Sequence, residues 1–191
     1  MSKGRGRKVV VLCEDSQSRS FAIQALRAYG FHRNEIRIEA LPSKVGGGAG
    51  HAWVVKHYPA QVKARRSTKA ATSLLVHIDA DDRTVKERHA QLERACKDAK
   101  VEPRSPGEAV VELVPRRNIE TWIYALDEEL AATVTLDERE PLPKLAHEGD
   151  CRGAARAFAE HARDHTEPET VAQVPSLVDG FEEFRRIVPT E

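Results

Sequence analysis

Short apolar runs rich in Val, Ile and Leu alternate with longer amphipathic stretches over the first two thirds of the chain. A short β-branched run is typical of a strand covered on both faces, and apolar residues three or four positions apart are typical of a helix. The sequence therefore predicts four strands, which lie within KVVVLCED (8–15), EIRIEAL (35–41), SLLVHID (73–79) and EAVVELVP (108–115).

A helical pattern follows each predicted strand, and Pro59 is expected to kink or break the second helix. Strands that alternate with helices favour an α/β fold, in which helices cover both faces of a mostly parallel sheet. Residues 1–130 are therefore predicted to form an α/β domain around a four-stranded sheet. The helices are expected within residues 16–30, 51–66, 83–99 and 118–130.

The alternation of strands and helices stops after residue 130. The next residues have a loop-like pattern, and CRGAARAFAEHARDH (151–165) predicts an alanine-rich helix. A last amphipathic helix is expected after a proline-bounded loop near the C-terminus. We therefore expect residues 131–191 to form a helical extension that packs on the same domain.

Composition narrows the function classes without choosing one. The 191 residues include 30 Lys and Arg and 30 Asp and Glu, so attraction to phosphate must come from a local patch. The three cysteines are widely spaced, which favours a reducing compartment over a disulfide framework. No apolar run reaches the roughly 18 residues that a membrane span needs, so we expect a cytoplasmic protein with no membrane partner.

Acidic residues follow three of the four predicted strands. In parallel α/β sheets, functional residues collect at the carboxyl ends of the strands, where the loops open. Acids that are far apart in the sequence are therefore expected to meet at one edge of the sheet. These acids are Glu14 and Asp15 after the first strand, Asp79, Asp81 and Asp82 after the third, and Glu120 early in the helix after the fourth.

The HIDADD segment brings like charges close together, so something positive is expected beside it. Alternate side chains of a strand point the same way, so Asp79 and Asp81 can share one ion. Mg²⁺ prefers oxygen ligands, usually one or two carboxylates with waters and substrate phosphates. The alternative is structural, because aspartates after a strand also form turns, and Asp82 can cap a helix that begins at Arg83.

The combination of Glu14 in VVVLCEDSQS with Asp79 and Asp81 in LLVHIDADD resembles the TOPRIM family over about residues 8 to 130. The chain is similar to small stand-alone TOPRIM proteins related to overcoming-lysogenization-defect (OLD) nucleases, many of them domains of unknown function. The segments VGGGAGHAW, RRNIETWIYALD and VPSLVDG follow the order of that group's weaker motifs. The first motif departs from the family, because Asp15 and Ser18 stand where it usually has Gly and a second acid.

The resemblance implies a Rossmann-like TOPRIM fold and a Mg²⁺- or Mn²⁺-dependent nuclease. Glu14 would be a general base or a metal ligand, and Asp79 and Asp81 would hold the ion, with Asp82 or Glu120 assisting. The substrate would be DNA or RNA. The chain would be the effector subunit of a prokaryotic defence or conflict system, working with an ABC-type ATPase, and an oligomer is compatible with this role.

Two other functions stay open at this point. A non-catalytic TOPRIM module for binding or scaffolding agrees with the missing second acid of the first motif. A phosphotransfer receiver-like domain also places acids at strand ends, but it needs a fifth strand followed by a Lys, and no clear fifth strand is predicted here. The receiver hypothesis is therefore the weakest of the three.

Basic residues near the predicted acids are candidates for phosphate or nucleic-acid contact. Arg116 and Arg117 directly follow the fourth strand, where bidentate guanidinium groups can clamp a phosphate. Lys44 and Lys56 belong to a basic stretch around the second helix, and such a stretch can equally be a solvated face. The glycine-rich PSKVGGGAGH is either a backbone cradle for phosphate or a plain loop.

Overall fold

Four short apolar segments form one parallel sheet in the computed structural model of the chain, which describes residues 8–39, 50–68 and 71–187. The order in the sheet is β2-β1-β3-β4, and every neighbouring pair is parallel. This arrangement confirms the predicted α/β fold with a four-stranded parallel sheet. The strands are β1 (Lys8–Cys13), β2 (Ile36–Ile38), β3 (Thr72–His77) and β4 (Val110–Leu113).

Helices follow the strands as predicted, with two differences in detail. The second helix continues through Pro59 instead of breaking there. The helix predicted over 118–130 is divided, because Asp127 accepts a hydrogen bond from the Leu130 N–H at 3.1 Å and begins a new short helix. The helices are α1 (Ser16–Ala28), α2 (Gly50–Ser67), α3 (Val85–Asp98), α4 (Ile119–Ala125), α5 (Glu128–Ala131), α6 (Arg152–Asp164) and α7 (Ser176–Phe184).

The sheet separates two hydrophobic clusters because successive strand residues point to opposite faces. Val9, Val11 and Cys13 of β1 face a cluster that includes residues of α1, α4, α6 and α7. Leu12 faces the other cluster, which contains residues of α2 and α3. Both faces are therefore covered, and the carboxyl edge of the sheet is where loops open to solvent.

The C-terminal helices pack into the first of these clusters. Gly180 of α7 lies directly against Trp122 of α4, and a Cβ atom at position 180 would be 2.4 Å from the Trp122 ring. The Trp122 Nε1–H donates to Ser176 Oγ at 2.9 Å, and the indole ring stacks on Phe158 of α6. The contacts of Trp122 thus join α4 to both C-terminal helices. No helix in the described ranges is long and apolar enough to cross a membrane.

Candidate metal centre at the carboxyl edge of the sheet

Glu14 and Asp79 form a buried carboxyl pair at the ends of β1 and β3. The two strands are neighbours with Cys13 opposite His77, so the chain leaves both strands at the same level. Glu14 Oε1 accepts a hydrogen bond from the Asp79 N–H at 3.1 Å, and the two carboxyl groups are close enough to affect each other's pKa. Asp79 is 6% exposed, and its Oδ1 has no hydrogen-bond partner among the described residues.

Burial raises the pKa of both acids of this pair. Removal from water disfavours the charged form of a carboxyl group, and a neighbouring negative charge adds to the effect. Burial raises the pKa of Glu14 to about 7, with the charges of Asp81 and Asp15 adding to the rise. Burial and the charge of Glu14 raise the pKa of Asp79 well above its usual range. The pair therefore retains a proton near neutral pH when no cation is bound.

Glu120 adds a third buried acid next to the pair. It lies in the first turn of α4, is 2% exposed, and its Oε1 has no partner in the described ranges. Burial raises the pKa of Glu120, as does the charge of Asp15. Asp15 caps α1 by accepting a hydrogen bond from the Ser18 N–H at 2.8 Å. Asp15 and Glu120 both raise the pKa of Asp79, which indicates that they belong to the same acidic cluster.

The first turn of α2 closes one side of the site. A Cβ atom at position 50 would lie 2.6 Å from the carbonyl oxygen of Glu14, so this approach requires Gly50. The next residue, His51, places its Nδ1 4.0 Å from Asp81 Oδ2. His51 is not among the residues predicted for the site, although it directly follows the glycine-rich segment in the sequence.

Asp81 does not follow the alternation that the sequence predicts. Strand β3 ends at His77, and Asp81 has a left-handed backbone conformation with φ of 55°. Its carboxylate is directed to Arg88 of α3, whose Nη2 donates to Asp81 Oδ2 at 2.9 Å. Arg88 is only 1% exposed and also donates to the Ala80 carbonyl at 3.1 Å and to Gln91 Oε1 at 2.7 Å.

Arg88 is therefore the positive charge that the close spacing of the aspartates calls for. His77, which lies directly below the acids, does not contribute a charge, because burial lowers its pKa to about 4. Arg88 is not among the residues predicted for the site, because arginine is rarely buried. The available signal was its position on the buried face of α3, in register with Leu92 and Cys96.

Arg116 and Arg117 hold the loop that carries the aspartates. The guanidinium of Arg116 donates to the carbonyls of Asp81 and Arg83, the first at 3.2 Å. Arg117 Nη1 donates to the Asp81 carbonyl at 2.8 Å and to Asp82 Oδ1 at 2.6 Å. Asp82 thus turns outward, with its side chain 95% exposed, and the ion pair with Arg117 lowers its pKa. The structure does not bring Asp82 into the acidic cluster.

Of the two predicted lysines, only Lys56 belongs to the described residues. Lys56 is exposed on α2 and has no ion pair or hydrogen bond within the described part of the chain. Lys44 and most of the glycine-rich segment lie outside the described residues. The predicted phosphate cradle therefore remains a prediction.

The acidic cluster fits a hard divalent cation with few protein ligands. Within residues 8–39, 50–68 and 71–187, no three His, Cys, Asp or Glu side chains converge closely enough to enclose a metal. Mg²⁺ needs only one or two carboxylates, because waters and substrate oxygens complete its octahedron. Glu14 and Asp79 supply such a pair. Asp79 Oδ1 has no hydrogen-bond partner among the described residues, so it is available to coordinate a cation.

Comparison of the chain with protein-family models, with curated proteins and with solved structures found no match. The interpretation of the site therefore depends on its own residues and geometry.

Proposed function

We propose that the chain is a Mg²⁺- or Mn²⁺-dependent phosphodiester hydrolase of the TOPRIM type, a nuclease. The observation that carries this proposal is the buried Glu14–Asp79 pair with its unpaired Asp79 Oδ1. Two buried carboxyl groups next to each other are costly to ionise, but a divalent cation that binds them can replace their protons and compensate their charge. This pair lies at the sheet edge where α/β proteins commonly bind their ligands.

A divalent ion held by Glu14 and Asp79 would polarise a phosphodiester and lower the pKa of a bound water. Glu14 keeps its orientation through the Asp79 N–H, so its second oxygen can accept a proton from an attacking water. Glu120, whose pKa is raised, can hold a proton and give it to the leaving oxygen. Arg116 and Arg117 hold the aspartate loop at the rim, where their positive charges favour a phosphate.

The substrate class in this proposal is DNA or RNA. The sequence resemblance to OLD-like TOPRIM proteins supports a role as the effector of a prokaryotic defence system, acting in the cytoplasm with an ABC-type ATPase. The equal numbers of acidic and basic residues agree with a subunit that depends on a partner for its grip on the substrate.

A second candidate function is a non-catalytic TOPRIM subunit for binding or scaffolding. Two observations favour it over catalysis. Ser18 stands where the family usually has a second acid, and it is fully buried with no partner for its Oγ in the described ranges. The carboxylate of Asp81 is engaged by Arg88 instead of facing the Glu14–Asp79 pair.

Metal binding and cleavage measured on the same samples separate these functions. Calorimetric titration with Mg²⁺ and Mn²⁺ would compare the native chain with Asp79→Asn, and with Asp82→Asn as the matched control from the same loop. Cleavage would be followed on single-stranded DNA, duplex DNA and RNA. The nuclease proposal expects binding and cleavage in the native chain and Asp82→Asn, and neither in Asp79→Asn.

Other results would favour the alternatives. Binding without cleavage, including in the presence of a partner ATPase, would support the scaffold function. No binding by the native chain, with or without nucleic acid, would refute the metal centre itself.

A further inference from the structure

Arg88 occupies an unusual position beside the acidic cluster. It is the only Lys or Arg that is buried in the described part of the chain. Burial lowers the pKa of Arg88, and the negative charges of the nearby Asp81, Glu14 and Asp79 act in the opposite direction. A guanidinium stays protonated in proteins, so this side chain is a permanent cation at the edge of the candidate metal centre.

We propose that Arg88 takes the place of a second divalent ion, so that the centre binds one ion and not two. This inference rests on the proposed function of the Glu14–Asp79 pair. Two-metal centres for phosphoryl transfer hold their ions about 3.5–4 Å apart, so the second ion needs carboxylate oxygens next to the first. Of the other acids nearby, Asp15 caps α1 and Glu120 is the proton donor of the proposed function. Asp81 is the remaining acid, and Arg88 already occupies its Oδ2.

The loop that carries Asp81 is held in place, and this restrains the hydrogen bond between Asp81 and Arg88. Asp81 has a left-handed backbone conformation, and its carbonyl oxygen accepts hydrogen bonds from both Arg116 and Arg117. The guanidinium of Arg88 is held at the same time by the Ala80 carbonyl. Because backbone and side chain are both restrained, a second cation would meet the fixed charge of Arg88 and would not gain Asp81 Oδ2 as a ligand.

Arg88 is a positioning residue in this proposal, since it is buried and acts through Asp81. A purely structural role, holding the loop against α3, predicts the same hydrogen bonds. The two roles differ in the number of ions bound, because only a cation substitute changes that number when it is removed.

The test is a titration of the native chain with Mn²⁺, in which calorimetry gives the stoichiometry and electron paramagnetic resonance counts the bound ions. The native chain is expected to bind one ion. Arg88→Met, which removes the charge but keeps an unbranched side chain, is expected to bind two, with the first ion bound more tightly. Arg88→Lys should bind one. The control Arg94→Met removes an exposed charge from the same helix and should also bind one.

Two variants test whether Asp81 is the ligand of the second ion. The double variant Arg88→Met/Asp81→Asn should return to one ion, because the second ion depends on the released carboxylate. Asp81→Asn alone should keep one ion, since Asp81 is not needed for the first. If Arg88→Met fails to fold, as judged by circular dichroism, Arg88→Gln takes its place, because it is also uncharged and can still donate a hydrogen bond to the Ala80 carbonyl, and it is expected to bind two ions.

Failure of this inference is distinct from failure of the metal centre. Two ions in the native chain, one ion in folded Arg88→Met, or loss of the ion in Asp81→Asn would overturn the role of Arg88 and leave the proposed function standing. No ion in the native chain would refute both.

Discussion

Replacement of Asp79 by Asn is expected to stabilise the ion-free protein at alkaline pH. The substitution keeps the shape of the side chain and the main-chain N–H that Glu14 accepts. It removes a carboxyl group that is 6% exposed and that lies against other acids. Ionisation of the native pair lowers the stability of the folded state. Because Asn cannot ionise, the variant does not lose this stability.

The sign and size of the effect follow from the raised pKa values. Both acids have a higher pKa in the folded state than in the unfolded state. Between these values the folded state binds more protons, so stability is present at low pH and is lost as pH rises through the folded pKa. For Glu14 the rise from 4.5 to about 7 corresponds to about 3 kcal/mol at pH 8. That rise is caused by burial and by the charges of Asp81 and Asp15, whereas the hydrogen bonds of Asp79 lower the pKa of Glu14. The gain of Asp79→Asn therefore comes from the raised pKa of Asp79 itself, and we expect about 1–3 kcal/mol at pH 8, the usual cost of a buried polar group without a partner.

Urea unfolding followed by tryptophan fluorescence, in EDTA at pH 5, 6.5 and 8, measures this effect. The gain of Asp79→Asn should be largest at pH 8 and vanish towards pH 5. Asp82→Asn is the control, because Asp82 is fully exposed and should show no such gain. Saturating Mg²⁺ should then stabilise the native chain at pH 8, by about 2.7 kcal/mol at a hundred times Kd, and leave Asp79→Asn unchanged. Equal destabilisation of Asp79→Asn at all three pH values would refute the buried acid pair.

Substitutions at three positions test the packing of the helices. Gly180→Ala would place a Cβ 2.4 Å from the Trp122 ring, and we expect a loss of about 1–3 kcal/mol in urea unfolding; an unchanged midpoint would contradict the close approach. Ser176→Ala removes the acceptor of the Trp122 Nε1–H and should cost about 1–2 kcal/mol in the same assay, whereas Ser176→Thr, which keeps a hydroxyl, should cost less. Gly50→Ala would press α2 away from Glu14, so calorimetry should show weaker Mn²⁺ binding, and native affinity in this variant would show that α2 does not shape the site.

The sheet and its acidic edge were largely predictable from the sequence. Period-2 patterns such as Val9, Val11 and Cys13 define which strand residues share a face, and this periodicity is a local property of the chain. Parallel strands end at one edge, so an acid after each strand was enough to predict that Glu14 and Asp79 would meet. Their contact also requires that β1 and β3 be neighbours in the sheet, and the apolar pattern does not determine this strand order.

The charges around that edge were decided only by the tertiary structure. The alternation that would align Asp81 with Asp79 holds only in extended backbone, and the backbone at Asp81 is left-handed. Sequence patterns place arginine on the surface, but Arg88 is buried because its guanidinium finds acceptors on a loop that precedes its own helix. Asp82 points to solvent because Arg117, 35 residues away, holds it there. The sequence gives the charge of each residue. The partner of that charge depends on which loops come together in the folded chain.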